Sequence, residues 1–400
     1  MIRFIKGNIH LLAVSWGHFV NDFFMSLVPV TMFAFATELK LNATEMSAIL
    51  FVIMTAGTFF QPIVGMLIDR VQKSILLIYG LIAITIGMSL SGFITNFYLL
   101  GIVVGISALG SSIYHPLGST ITIHKTNLSR GKSLSIFMTV GGFAATAAPL
   151  IAIPLVTQYG LKSLIIFIIP GLLSALFLYM AKVQDVKWTD DKKVKIEGRG
   201  GWKSLSKSQQ FNLSIPMMIS IVLKSLYSAV VLFGVIIMKD KGVSVVQAGL
   251  ILSVFMFSRA IATLIGGFVS DYIGEKKTIL FFNGLTFLGL LLFVYSSGIL
   301  MAIGLVVSGF ASTGGAAAGI TITHRIAPNH MNYATGLIMG FSATISAVLM
   351  LGYGRIVDVF GQSWALNVLV ILMGLIVVLA ALIPKEFESN TSTVAINEIV

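Results

Sequence analysis

The chain has 400 residues, 56% hydrophobic and 10% charged, with a mean hydropathy of +0.97. A soluble domain carries about 25% charged residues, so this chain lacks the charge for a water-facing surface, and its apolar surface must meet lipid. No cysteine is present, which excludes disulfides and thiolate metal sites, and the six histidines show no metal-ligand spacing. The formal charge of +11 sits in short loops between apolar runs, which points to membrane orientation rather than nucleic acid.

A membrane-spanning helix needs about 20 mostly apolar residues. Twelve such runs lie near 9–36, 44–68, 74–94, 97–123, 131–157, 161–182, 212–238, 244–270, 277–296, 298–323, 333–354 and 364–384. The first is too long for a cleavable signal and lacks a small-residue cleavage site, so it is expected to remain as span 1. Residues 183–211 form the long hydrophilic stretch and fall at the middle of the chain. The expected organisation is a six-helix bundle at 1–182, a cytoplasmic linker at 183–211 and a second six-helix bundle at 212–400. With both termini cytoplasmic, nineteen of the Lys and Arg residues fall inside and five outside. That asymmetry predicts a multi-pass protein of the cell membrane with both ends in the cytoplasm.

An internal repeat supports the division. The loop after span 2 reads GMLIDR, Gly65 to Arg70, and the loop after span 8 reads GFVSDYIGEKK, Gly267 to Lys277. Asp69 and Asp271 are 202 residues apart, close to half the chain. Repeats of this kind place a substrate site between the halves, near mid-membrane.

Twelve spans in two halves with a Gly-x-x-x-Asp-Arg loop resemble the major facilitator superfamily. That resemblance implies an all-α membrane fold of two pseudo-symmetric six-helix bundles. It also implies a monomer, and a gating loop at Gly65, Asp69 and Arg70 with a second copy at Gly267 and Asp271. Asp69 would pair with a neighbouring helix end. Further motifs lie in the first half: GHFVNDFF from Gly17 to Phe24, SSIYHPLGS from Ser111 to Ser119, and RGKSLSIFMTVGGFAATAAP from Arg130 to Pro149. This series resembles the fosmidomycin-resistance group of exporters. One difference is Leu117, where relatives often carry a polar or acidic residue.

Ionisable groups inside hydrocarbon cost at least about 2.5–3.5 kcal/mol, so they mark candidate sites. Asp22 lies roughly 20 Å into span 1 at 1.5 Å per residue. Lys224 follows it by 202 residues, so the repeat makes the two counterparts. The family fold sets spans 1 and 7 face to face, which allows an Asp22–Lys224 pair across the halves. Asp22 is the expected proton carrier. His18 shares its helix face at i, i+4 and would relay protons, with Asn21 adjacent. Arg259 suits bidentate capture of an oxyanion. Tyr114 and His115 would be aimed at the cavity or at span 1 by a kink at Pro116. Gly142 and Pro149 loosely resemble the glycine-proline motif of drug antiporters. The Gly314–Ala318 run reads as close helix packing.

Two cations and one acid within the membrane predict an anionic or zwitterionic small-molecule cargo. The expected function is proton-coupled export by alternating access, with no cofactor, metal or nucleic acid. An opine-type metallophore is an alternative native cargo, and import of an organic anion is a second alternative. A sensor would carry a soluble output domain. A lipid flippase stays open on sequence grounds. Neither a nucleotide-binding loop nor a nucleophile–base pair stands out, so an enzyme is not expected.

Overall fold

The computed structural model describes residues 8–187 apart from 125, 127 and 129, and 205–384 apart from 329–333 and 336. Twelve helices in it are long and apolar enough to cross a membrane. Spans 1 to 6 are Ile9–Val30, Ala43–Gly65, Ile75–Phe93, Phe97–Thr122, Ile136–Tyr159 and Leu161–Met180. Spans 7 to 12 are Lys207–Asp240, Val245–Ile273, Glu275–Tyr295, Gly298–Ile326, Leu337–Phe360 and Gln362–Ala381. All twelve expected runs are present. The differences are at their ends. The first run breaks at Thr31, beyond which Met32–Leu39 forms a separate short helix. Span 7 starts five residues earlier than expected because Ser206 and Gln209 form a capping box that satisfies the first backbone donors. Ser244 and Gln247 do the same for span 8, and Asn42 and Glu45 for span 2.

The spans form two six-helix bundles. In the first, span 1 packs on spans 3, 4 and 5, and span 3 packs on span 4. In the second, span 10 packs on spans 8 and 9, and span 7 packs on spans 11 and 12. The Gly314–Ala318 run explains part of this closeness. A Cβ at Gly266 of span 8 would fall 1.8 Å from the Gly314 carbonyl oxygen, so any side chain there would force the helices apart.

Between the bundles, span 5 packs on span 8 and span 2 on span 11. The contact is tight on the side of the membrane away from Val183–Asp185 and Ser206. There the Asp358 carboxylate accepts from the backbone N–H of Ala43 at 2.8 Å and of Thr44 at 2.9 Å. It also accepts from the Thr44 hydroxyl at 2.5 Å. An anion from span 11 thus sits on the positive end of span 2. A Cβ at Gly354 would fall 2.5 Å from the Ala43 carbonyl oxygen, so this seal is backbone on backbone. Deeper in, spans 2 and 11 each contain a π-helical segment, Thr55–Phe59 and Leu337–Phe341, and the two segments touch. Such segments free backbone carbonyls from the helical ladder.

Candidate functional site

Three titratable side chains from spans 1 and 4 meet in the first bundle. His18 and Asp22 come from one helical face. His115, 93 residues further along, is brought to them by the packing of span 4 on span 1. His18 Nε2 lies 3.2 Å from Asp22 Oδ2, and His115 Nε2 lies 3.4 Å from Asp22 Oδ1. Asn21 Nδ2 donates to Asp22 Oδ1 at 2.9 Å and to Ser111 Oγ at 3.0 Å. The three ligand atoms lie within 4.8 Å of one another, a spacing that a shared cation fits.

The protonation of this cluster follows from one contact. His18 Nδ1 lies 2.8 Å from the Phe137 carbonyl oxygen. A carbonyl only accepts, so Nδ1 carries the hydrogen. When the ring is neutral, Nε2 then turns a lone pair toward the Asp22 carboxylate. The contact is attractive only when one proton lies between them, as imidazolium with carboxylate or as imidazole with carboxylic acid. The ring itself is locked. It stacks on Phe137 with centroids 4.0 Å apart and packs edge-on to His115 at 4.9 Å. A Cβ at Gly141 would fall 2.3 Å from His18 Cε1, so span 5 must have glycine there for the ring to fit.

Asp22 and His115 line a cavity of about 240 Å³ whose far wall is Tyr227 and Ser228 of span 7. Gly142 lines the same cavity, and a Cβ there would meet nothing within 4 Å. The cavity therefore lies between the bundles. Tyr227 was not singled out from the sequence, where one tyrosine in an apolar run gives no signal.

Lys224 does not reach Asp22. Its Nζ donates to the carbonyl oxygens of Ile338 and Met339, both at 2.7 Å. Those carbonyls belong to the π segment of span 11, which exposes acceptors that an ammonium can cap. The expected Asp22–Lys224 pair is therefore replaced by His18–Asp22–His115 on one side and Lys224–span 11 on the other. Arg259 donates through Nη1 to Ser312 Oγ at 2.5 Å. Its guanidinium lies 4.4 Å from the Tyr227 ring centroid. Lys224 and Arg259 line a cavity of about 300 Å³ in the second bundle.

Of the two expected targets, Tyr114 is aimed at span 1 and not into a cavity. It is fully buried, and its hydroxyl donates to the Val14 carbonyl oxygen at 2.9 Å. A Cβ at Gly17 would fall 2.0 Å from that hydroxyl, so the Gly17–Tyr114 pair fixes the crossing of spans 1 and 4. The helix runs unbroken through Pro116, and Thr120 Oγ1 donates to the Pro116 carbonyl oxygen at 2.9 Å. Pro149 lies within the span 5 helix. In the first loop Gly65 faces Pro116 and Arg70 is exposed, while the Asp69 side chain lies outside the described part of the structure. In the second loop Asp271 is exposed and a Cβ at Gly267 would meet nothing within 4 Å. At this end Arg325 pairs with Glu275 at 2.7 Å.

The chain matches the family model described as Major Facilitator Superfamily over residues 14–238 and 217–396. It is 24% identical over 355 residues to the fosmidomycin resistance protein of Escherichia coli (strain K12), covering 86% of each chain. It is 26% identical over 352 residues to the sialic acid transporter NanX of the same organism, covering 83% of this chain and 84% of that one. Among solved structures, a bacterial homologue of the human lysosomal transporter Spinster, inward-facing and occupied, gives a TM-score of 0.77. It is 14% identical, over 93% of this chain and 96% of that one. The nucleoside transporter NupG gives 0.71 at 16% identity, over 94% and 98%. These two likenesses are likenesses of fold.

Proposed function

The chain belongs to the major facilitator superfamily, and from that premise we propose that it is a proton-coupled exporter of small anionic or zwitterionic molecules, working as a monomer by alternating access. The observation that carries this reading is the His18–Asp22–His115 cluster, which needs one shared proton to be attractive and which borders the cavity between the bundles. Cations lie opposite, on the second bundle. Proton and anion therefore have separate seats on the two bodies that rock against each other.

Residues 1–182 and 212–400 are the moving bundles and 183–211 the linker. The lysine and arginine asymmetry supports a cytoplasmic linker and cytoplasmic termini. The Asp358 contact then seals the external face, and the site loads from the cytoplasm. Gly65, Asp69 and Arg70, with Gly267 and Asp271, form the gate on the cytoplasmic side. The similarity to a fosmidomycin resistance protein supports export. The similarity to a protein named as a sialic acid transporter supports an organic-anion cargo, and uptake of such an anion is the second reading. A metal-chelating opine-type metabolite is a further anionic cargo that the export reading admits.

The test is flux in proteoliposomes with fosmidomycin and sialic acid as trial cargoes. An imposed pH gradient should drive cargo against proton flow in wild type, and Asp22→Asn should abolish the coupling. Cargo moving with the protons would replace export by uptake. Flux indifferent to pH would remove proton coupling altogether.

A further inference from the structure

The second bundle holds a cavity whose polar groups do not balance. It is about 300 Å³, and its lining contains Lys224 and Arg259 but no aspartate or glutamate. Lys224 has three N–H groups and gives two to Ile338 and Met339. Arg259 has five, of which Ser312 takes one. Asn283 of span 9 also lines the cavity, is 2% exposed, and its Nδ2 has no partner. A buried polar group without a partner is costly, and part-buried cations without a counter-anion add to that cost. Two cations and one unsatisfied amide thus border one space whose lining supplies hydroxyls and carbonyls but no anion.

We propose that Lys224, Arg259 and Asn283 together form a recognition site for a dianionic cargo group, contained within the second bundle. The site deepens the anion-export reading and rests on it. Two cationic side chains ask for two negative charges, since a monoanion would leave one of them uncompensated. The planar guanidinium holds two oxygens side by side, and the Tyr227 ring beneath it fixes its plane. The free Lys224 N–H takes a third oxygen as a point charge. The Asn283 amide supplies the last donor and sets specificity, because a cargo that fails to reach it leaves it unpaired. Leu223 and Ile320 line the rest and suit a small apolar body. The cavity is at the small end of ligand sites, roughly 300–1,000 Å³. A phosphorus oxyanion and a dicarboxylate share this chemistry.

The experiment is calorimetric titration of the purified full-length protein in lipid nanodiscs at pH 8. The ligands are two matched pairs: methylphosphonate against its monomethyl ester, and succinate against its monoamide. At least one dianion should bind about tenfold more tightly than its monoanionic partner, and which pair does so tells phosphorus oxyanions from dicarboxylates. Asn283→Leu should weaken that dianion by about tenfold, the loss of one hydrogen bond to a charge. Asn283→Asp keeps the side-chain shape, so it should abolish dianion binding while thermal stability stays near wild type. Lys224→Gln should erase the preference for two charges. Equal affinity within both pairs, no heat with any ligand, or wild-type affinity in both Asn283 variants would overturn the site. Proton-coupled flux of the same purified protein in proteoliposomes separates the two readings. Intact flux without charge preference removes the site alone. Charge preference without coupled flux removes the export reading and leaves the site.

Discussion

The Arg259 guanidinium lies over the Tyr227 ring at 4.4 Å, and the same tyrosine walls the cavity that holds Asp22. One side chain therefore touches the cation of the second bundle and faces the acid of the first. A cation over an aromatic face is worth about 0.5–2 kcal/mol, the larger value when water is excluded. Tyr227→Leu should raise the apparent KM for an anionic cargo severalfold by loosening Arg259. Tyr227→Phe keeps the ring and should stay near wild type. Flux assays on the two variants check this. Equal losses in both would assign the role to the hydroxyl instead.

Asp22→Asn should uncouple transport while leaving insertion and folding intact. The amide still accepts from Asn21 but cannot share a proton with His18. Counterflow of labelled cargo without a pH gradient should survive, and gradient-driven accumulation should not. Full accumulation in the variant would exclude Asp22 as carrier.

Gly141→Ala tests the lock on His18. The added methyl would sit 2.3 Å from the ring, so the imidazole must leave Phe137 or span 5 must move. Overpacking of this kind costs about 1–3 kcal/mol. A lower melting temperature together with impaired coupling is expected. The neighbouring Gly142→Ala meets nothing within 4 Å and should leave melting unchanged.

Asp358→Ala should loosen the seal between spans 2 and 11. Three hydrogen bonds to Ala43 and Thr44 disappear, leaving the start of span 2 without its cross-bundle anion. The chain has no native cysteine, so spin labels at Lys40→Cys and Ser363→Cys report on that face alone. Their distance distribution should shift to longer values in the Asp358→Ala background. An unchanged distribution would mean that the backbone contact at Gly354 suffices.

Lys241→Met tests a purely structural cation. Its Nζ donates to the carbonyl oxygens of Phe293, Val294 and Ser296 at 2.6–2.9 Å, capping the end of span 9. Leaving three carbonyls without this donor should cost about 1–3 kcal/mol and lower thermal stability. Transport per folded molecule should be unaffected. Loss of transport at full stability would give Lys241 a role in the cycle.

The twelve spans were legible because the length of an apolar run is a property of consecutive residues, and lipid imposes it on each helix separately. The same holds for the shared face of His18 and Asp22, since helical periodicity is local. The capping box at Ser206 is local too, but its polar residues read as linker, so span 7 was expected five residues late. Charge within the runs also marked Lys224 and Arg259. What the sequence could not supply was the partner of each charge. Asp22 and Lys224 are counterparts in the repeat, yet the first meets His115 and the second caps span 11. The reason is that a partner is chosen by which helix packs alongside. That is settled by small residues such as Gly17, Gly141 and Gly266, and by where spans 2 and 11 leave the α-helical register. Asn283 escaped notice because a neutral amide in a run such as ILFFNGLTF breaks no rule of composition. Only the fold turned it, unpartnered, toward two cations. Composition and periodicity determined that this protein crosses the membrane twelve times; the packing of those helices decided which buried charges are satisfied and which wait for a ligand.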